Sequence, residues 1–216
     1  MVAVRKYKKV LLLGDSQTGW SGTVQYGWTN LLMEKHVGYM DIINRGRSGY
    51  NTNCLLENMV DMVPTVPAHQ YDMAVVWFGT NDAVNEDQPQ HLPTSEYTKN
   101  LNEIVTRLVD MGIEADNILI LTPATVDETK WEGTLTNENM RKYGELALDV
   151  ARERQCQSAD LFTIFSEYEG DDLFMDGLHL DKKGSELVFG EVEKFVSERL
   201  NPTAPAPTWR ECLGVS

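Results

Sequence analysis

Four uninterrupted apolar runs dominate the hydrophobic pattern of this chain. They are "KKVLLLG" (Lys8–Gly14), "MDIIN" (Met40–Asn44), "YDMAVVWFG" (Tyr71–Gly79) and "NILILT" (Asn117–Thr122). Runs with so little polar alternation are typical of strands that are covered on both faces, as in a parallel sheet. A weaker run over Ser158–Phe162 predicts one more strand.

Segments with helical periodicity separate these runs. The segment "GWTNLLMEKH" gathers its apolar residues on one face, and a longer one begins with a capping residue at Thr94 or Ser95 and stops at Gly112. Two more amphipathic segments follow, "NENMRKYGELALDVARERQ" and "KKGSELVFGEVEKFVSERL". Strands that alternate with helices predict a three-layer αβα sandwich around a parallel sheet of about five strands.

The length and the absence of a linker predict one domain over residues 1–216. The proline-rich tail from about residue 201 is predicted to lie extended over the surface. A formal charge of −14 argues against a nucleic acid or an anionic membrane as partner, because polyanions repel an acidic surface. No apolar run is long enough for a membrane span. These features leave the oligomeric state open.

The three cysteines, Cys54, Cys156 and Cys212, are scattered and odd in number. No pair has the C-x-x-C spacing of a metal site, and no secretory signal precedes the first strand. The pattern therefore predicts thiols in a reducing, cytoplasmic compartment, with a disulfide as the less favoured alternative.

Polar motifs follow three of the predicted strands directly. These are "GDSQT", "NRGRSGYNT" and "GTNDA", and a fourth motif, "DGLHL", precedes the last helix. In an open parallel sheet, functional groups gather on the loops at the carboxyl ends of the strands. We therefore expect the first three motifs to lie near one another.

Ser16, in the first motif, has two interpretations. A serine after a strand often caps the next helix, and a serine hydroxyl is a weak nucleophile unless a base lies nearby. In the fourth motif, Asp176 precedes His179 by three residues, and Gly177 permits a sharp turn between them. This spacing suits an imidazole base held by a carboxylate, although a loop ion pair or a helix cap at Asp181 explains it too.

Acyl transfer also needs hydrogen-bond donors for the tetrahedral oxyanion. Gly49 offers a backbone N–H, Asn81 offers a side-chain amide, and Ser16 adds its own N–H. Taken singly, Gly49 can be explained as a glycine that a turn requires, and Asn81 as a turn residue or a helix cap. The four motifs occur together and in this order, and four unrelated turns would not account for that. No G-x-S-x-G, G-x-G-x-x-G or P-loop motif competes with this interpretation.

The ordered set "GDSQT", "GRSGYNT", "GTND" and "DGLH" resembles blocks I, II, III and V of the SGNH/GDSL hydrolases, which are serine esterases and lipases with a flavodoxin-like sheet. The resemblance implies an enzyme that needs no metal and no cofactor. It implies that Ser16 is the nucleophile, with His179 as its base and Asp176 as the group that orients the base.

The same resemblance implies roles for the neighbouring motif residues. Gly49, rather than Gly46, matches the oxyanion glycine, and Asn81 matches the oxyanion asparagine. Asp15 and Asp82 belong to the motifs as residues that support the loops and do not take part in the reaction themselves.

The similarity extends to the isoamyl acetate-hydrolysing esterases, on "NRGRSGYNT", "FGTNDA", "LTPATVDETKWE", "DGLHLDKKG" and the terminal "WRE". It implies hydrolysis of short-chain, acetate-type esters of small alcohols through an acyl-enzyme. Alternatives are deacetylation of carbohydrates or other acetylated metabolites, and cleavage of thioesters or lysophospholipids. An inactive flavodoxin-like binding module is the alternative from another class. Trp20 and Trp131 are candidates for the wall of the substrate pocket, with packing as the alternative role.

Overall fold

The computed structural model describes residues 7–63, 71–168, 172–199 and residue 210. The strands are β1 (Lys8–Gly14), β2 (Met40–Asn44), β3 (Met73–Trp77), β4 (Ile118–Leu121) and β5 (Gln157–Ala159). The helices are α1 (Ser16–Gly19), α2 (Trp28–Lys35), α3 (Thr52–Met62), α4 (Thr94–Asp110), α5 (Asn137–Glu153), α6 (Leu161–Ser166) and α7 (Lys182–Arg199). Short 3-10 turns cover Trp20–Gly22 and Ala115–Asn117.

The five strands form one sheet in the order β2-β1-β3-β4-β5, and every pairing is parallel. This is the strand order of flavodoxin-like folds. The predicted three-layer αβα sandwich and its parallel sheet are therefore confirmed. The order reverses between β1 and β3, so the crevice at the carboxyl end of β1 is where such folds place their ligand sites.

Each face of the sheet carries its own hydrophobic core, because successive side chains of a strand point to opposite faces. In β1, Leu11 and Leu13 pack with apolar residues of α3, α4 and α5. Val10 and Leu12 face the other way, toward residues of α2, α6 and α7. Burial on both faces of the sheet explains why the sequences of such strands are continuous apolar runs.

The predicted and observed elements differ at a few boundaries. β3 and β4 are shorter than their apolar runs. The helix α4 begins at Thr94 with Pro93 as its cap, so neither predicted capping residue caps it. The helix α3 was not predicted, although Asn51 caps it by accepting a hydrogen bond from the N–H of Cys54 at 2.9 Å.

The predicted extended tail lies outside the described residues, apart from Arg210. Within the described residues, no helix combines the length and the apolar character that crossing a membrane requires.

Candidate active site

The first strand runs almost directly into a short helix, and this turn presents Ser16. β1 ends at Gly14, and α1 begins at Ser16. Asp15, between them, is the N-cap, because its carboxylate accepts a hydrogen bond from the N–H of Gln17 at 2.9 Å. The capping role that the sequence left open for Ser16 therefore belongs to Asp15. The Ser16 hydroxyl, in a residue only 7% exposed, is left for another partner.

That partner is His179, in the segment Asp176–His179, which we call the histidine loop. The ring Nε2 of His179 lies 2.9 Å from Ser16 Oγ, and its Nδ1 lies 2.7 Å from Asp176 Oδ2. An ionised carboxylate only accepts hydrogen bonds, so Nδ1 carries the proton of the neutral ring. Nε2 is then free to accept the hydrogen of the Ser16 hydroxyl. The structure thus joins the three predicted residues in one hydrogen-bonded chain.

Asp176 also holds the backbone of its own loop. Its Oδ1 accepts hydrogen bonds from the N–H of Leu178 at 3.0 Å and of His179 at 2.8 Å. Gly177, between them, has a φ of +89°, a conformation that glycine adopts without strain. Partial burial by itself raises the pKa of Asp176, but the hydrogen bonds from the His179 ring and from these two N–H groups outweigh it and lower the pKa. The carboxylate is therefore ionised at neutral pH.

Three successive carbonyls of the histidine loop accept hydrogen bonds from other parts of the chain. The donors are the indole N–H of Trp131, the backbone N–H of Asp127 and the side-chain amide of Gln17. They reach the carbonyl oxygens of residues 176, 177 and 178 at 3.1, 2.8 and 2.7 Å, respectively. The loop is therefore fixed through its backbone as well as through the Asp176 carboxylate.

Gln17 is a site residue that the sequence pattern did not reveal. It follows Ser16 directly, is only 5% exposed, and spans from the turn after β1 to the histidine loop. Its Oε1 is buried without a hydrogen-bond partner in the structure. A buried polar side chain beside the nucleophile candidate was a signal in principle, but its partner, the carbonyl of Leu178, lies 161 positions away in the sequence.

The proposed oxyanion donors are linked to the same turn. Asn81 donates its side-chain amide to the carbonyl of Tyr50 at 2.9 Å and to Asp15 Oδ2 at 3.3 Å. Gly49, which directly precedes Tyr50, has a φ of +76°, and its carbonyl accepts a hydrogen bond from Gln90 at 3.4 Å. The loops after β1, β2 and β3 therefore meet around Asn81.

Two buried carboxyl groups lie behind these loops. Burial raises the pKa of Asp15 to about 7, and the charge of Asp82 adds to this increase against the hydrogen bond from Gln17. Burial likewise raises the pKa of Asp82 to about 6, although its Oδ1 accepts hydrogen bonds from Thr52 N–H at 3.0 Å and Oγ1 at 2.5 Å. In the described part of the chain, no group of three or more His, Cys, Asp or Glu side chains is arranged to hold a metal ion.

A small apolar crevice adjoins Ser16 and His179. Trp20, Val24, Met175 and Leu180 contribute to its lining, and its volume is about 10 Å³. That volume is close to the space that one water molecule occupies. The predicted pocket residue Trp20 therefore lies at the site.

Trp20 also contacts the base candidate directly. Its ring stacks on the imidazole of His179, with ring centroids 3.9 Å apart and planes inclined by 25°. Trp131, the other predicted pocket residue, is not among the side chains that line this crevice. Instead its indole is hydrogen bonded to the backbone of the histidine loop at Asp176.

Comparison with known protein families gives one match that covers most of the chain. Residues 12–187 match the sequence model of the GDSL-like Lipase/Acylhydrolase family. The matched range includes Ser16, Asn81, Asp176 and His179, so it contains all the motifs that meet at the site.

Curated proteins are similar over most of the chain, and a solved structure shares its fold. The isoamyl acetate-hydrolyzing esterase 1 homolog of Mus musculus is 32% identical in an alignment of 197 positions, which covers 85% of this chain and 79% of that protein. The isoamyl acetate-hydrolyzing esterase of Saccharomyces cerevisiae is 29% identical over 88% of this chain and 86% of its own length. Among solved structures, a lipase/acylhydrolase from Enterococcus faecalis superposes with a TM-score of 0.74 at 22% identity, covering 91% of this chain and 98% of that one.

Proposed function

The chain belongs to the GDSL-like lipase/acylhydrolase family and is an esterase of that type, and from this premise we propose that it hydrolyses short-chain, acetate-type esters through an acyl-enzyme on Ser16. The hydrogen-bonded chain from Asp176 through His179 to Ser16 carries the proposal, with distances of 2.7 and 2.9 Å. These are the contacts that a serine nucleophile and its base require.

In the first half of the reaction, His179 Nε2 takes the proton of the Ser16 hydroxyl as Oγ attacks the ester carbonyl. The carbonyl π electrons move to the oxygen, and a tetrahedral oxyanion forms. The intermediate collapses by breaking the bond to the alkoxy oxygen, which leaves as an alcohol with the proton from Nε2. The acyl group remains on Ser16.

In the second half, His179 takes a proton from a water molecule, whose oxygen attacks the acyl carbonyl. The second tetrahedral intermediate breaks its bond to Ser16 Oγ, which recovers its proton from Nε2. The carboxylic acid departs, and the three residues return to their starting protonation. Asp176 stays ionised throughout and stabilises the imidazolium that forms twice in each cycle.

We assign the oxyanion to the backbone N–H groups of Gly49 and Ser16 and the side-chain amide of Asn81. The contact of that amide with the carbonyl of Tyr50 supports the assignment, because it orients the amide before substrate arrives. The second amide contact, with Asp15 at 3.3 Å, is long for a hydrogen bond and is the one that an oxyanion can replace.

The raised pKa of Asp15, at about 7, bears on the same step. An ionised carboxylate beside the amide would compete with the oxyanion for its hydrogen and would repel its charge. Protonation of Asp15 removes the repulsion and weakens the competition, because a neutral carboxyl group accepts hydrogen bonds less strongly than a carboxylate. The burial that raises the pKa of Asp15 therefore favours charge development at the carbonyl oxygen.

The names of the relatives support small acyl groups as substrates. The relatives from Mus musculus and Saccharomyces cerevisiae are both named for the hydrolysis of isoamyl acetate. We therefore propose small-molecule esters of acetate and its near homologues.

A panel of esters that varies the acyl group and the alcohol independently tests this assignment. We expect p-nitrophenyl acetate to butyrate to give the highest kcat/KM, with a fall of about ten- to a hundredfold beyond roughly eight acyl carbons, because overfilling a packed pocket is costly. A maximum at long chains would transfer the assignment to lipases or lysophospholipases.

The same panel separates a simple esterase from a deacetylase, a thioesterase and a binding module. An acetylated sugar or an acetyl thioester that outperformed simple acetates would identify a deacetylase or a thioesterase. A chain that hydrolyses no ester and takes no fluorophosphonate label on Ser16 would be a binding module.

We also propose a cytoplasmic location. Cys54 and Cys156 carry free thiols, as expected in a reducing compartment. Cell fractionation with an antibody against the chain tests the location, and recovery in the secreted fraction would contradict it.

A further inference from the structure

Trp20 lies one helical turn after Ser16, and this spacing determines where its ring can go. The backbone N–H of Trp20 donates to the carbonyl of Ser16, as expected for residues four apart in a helix. Side chains at that separation lie on the same face. An imidazole that contacts Ser16 Oγ therefore also comes under the indole of Trp20, and the two rings do stack at 3.9 Å.

We propose that Trp20 is a positioning residue for His179, rather than chiefly a wall for the substrate; this inference rests on the proposed roles of Ser16 and His179. Asp176 and Ser16 fix two edges of the imidazole, and the indole covers one of its faces. With these three contacts, the ring can neither rotate about its Cβ–Cγ bond nor tilt away from Ser16.

The stack also distinguishes between the two charge states of the ring. An indole face attracts a cation through its quadrupole, and it attracts a neutral imidazole less. His179 becomes a cation when it takes the proton of Ser16. The contact is therefore stronger in the transition state than in the resting enzyme, which is the condition for an interaction to raise kcat.

The ionisable groups around this ring are few in the described residues. Asp176 lies on its own loop, Asp15 lies on the turn that carries Ser16, and Asp127 and Lys130 belong to the segment that brackets Gly177. Trp20, Val24, Met175 and Leu180, which line the crevice, do not titrate. A change at Trp20 thus leaves the charged neighbours of His179 in place.

Kinetics of two variants test the proposal. Trp20→Leu keeps apolar bulk but removes the aromatic face, so we expect kcat on p-nitrophenyl acetate to fall about two- to thirtyfold with KM nearly unchanged. Trp20→Phe keeps an aromatic face and should recover most of the loss. Val109→Ala, which shortens an apolar side chain of similar exposure (40%) on α4, is the matched control and should retain the wild-type rate.

A wall for the substrate would behave differently. It would raise KM, and its effect would grow with the size of the acyl group or the alcohol. That result, or equal rates for the Leu and Phe variants, would overturn the positioning role. Trp20 is 41% exposed, so folding of the variants is expected to survive and is checked by their melting temperatures.

A second measurement needs no substrate. Protonated imidazole quenches the emission of a stacked indole, so in acidic buffer the emission of the wild type minus that of Trp20→Phe should be smaller than the same difference taken in a His179→Gln background. Equal differences in the two backgrounds would overturn the stack in solution.

The two measurements separate the two proposals. If the emission of Trp20 depends on His179 but the protein hydrolyses no ester, the stack holds and the proposed function fails. If the protein is an active esterase but the emission of Trp20 does not depend on His179, the esterase assignment holds and the role of Trp20 fails.

Discussion

The histidine loop and the rim of the crevice both adjoin Ser16, but their side chains differ in how far they are buried. Three groups from two other segments fix the backbone carbonyls of the histidine loop. The rim is formed by the side chains of Trp20, Val24 and Met175, and it contacts the histidine loop through a hydrogen bond from Met175 N–H to the carbonyl of His179 at 2.8 Å.

The side chains of the rim are more exposed to solvent than Ser16 and His179. Trp20 is 41% exposed and Met175 is 48% exposed, whereas Ser16 and His179 are 7% and 9% exposed. Side chains of the rim can therefore change without disturbing the fold, whereas Ser16 and His179 are buried and hydrogen bonded. Trp20 belongs to both groups, because it lies at the exposed rim and also stacks on His179.

Replacing Ser16 by Ala is the most severe test of the buried residues, Ser16 and His179. We expect a loss of hydrolysis on the order of 10⁵-fold or more, because the attacking atom is removed. The melting temperature should stay near that of the wild type, since only one oxygen is lost. The rate is measured on p-nitrophenyl acetate with Ser166→Ala as control, an exposed serine on α6. A folded variant that kept most of its rate would disprove the nucleophile assignment.

Replacing Gln17 by Met should have a moderate effect. Methionine fills a similar volume but cannot donate to the carbonyl of Leu178, so the histidine loop loses one of its three anchors. We expect kcat to fall about tenfold, the size of one lost hydrogen bond to a positioned group, with little change in KM.

Gln25→Met provides the control for this change, because Gln25 is an exposed glutamine in the connection between α1 and α2. Equal kcat values for the two variants would show that the amide of Gln17 does not position the loop.

The buried carboxyl groups should affect stability rather than rate most directly. Burial raises the pKa of Asp82 to about 6 in the folded state, above its value of 3.8 in a solvated chain. Between these values the folded state binds more protons than the unfolded state, so the free energy of unfolding falls as the pH rises through this window. Urea unfolding at several values from about pH 4.5 to pH 7.5 should show this decline for the wild type.

Asp82→Asn removes the titrating group while keeping an oxygen for Thr52, so its unfolding free energy should decline less steeply over the same range. Asp61→Asn, at an exposed position on α3, should follow the wild type. An unchanged slope in the Asp82 variant would show that this carboxyl does not titrate in the folded state as its burial indicates.

The sequence predicted those parts of the fold that depend on local pattern. The bounds of β1 and β2 agree with their apolar runs, and both strands end at polar turns. β1 is buried on both faces, whereas β2 lies at the edge of the sheet and is only partly buried. The helix α3 escaped prediction although Leu55, Met59 and Met62 recur with helical spacing.

In the site, too, the sequence predicted what local motifs define and missed the contacts between distant residues. The positions of Ser16, Asp176 and His179 followed from motifs, since each lies at the end of a strand or directly before a helix. The stack of Trp20 on His179 and the bond from Gln17 to the carbonyl of Leu178 did not follow. Both join residues about 160 positions apart, and only the packed fold defines such contacts.

The distance along the chain between the proposed nucleophile and its proposed base has a consequence for the timing of activity. Ser16 and His179 are 163 residues apart, so a ribosome makes Ser16 long before His179. At about 5–20 residues per second, that interval lasts roughly eight to thirty seconds. On the proposed mechanism, a nascent chain that ends before His179 lacks the base, so it hydrolyses nothing even when β1 and β3 have already paired. Activity then begins only after the segment before α7 has docked on the sheet.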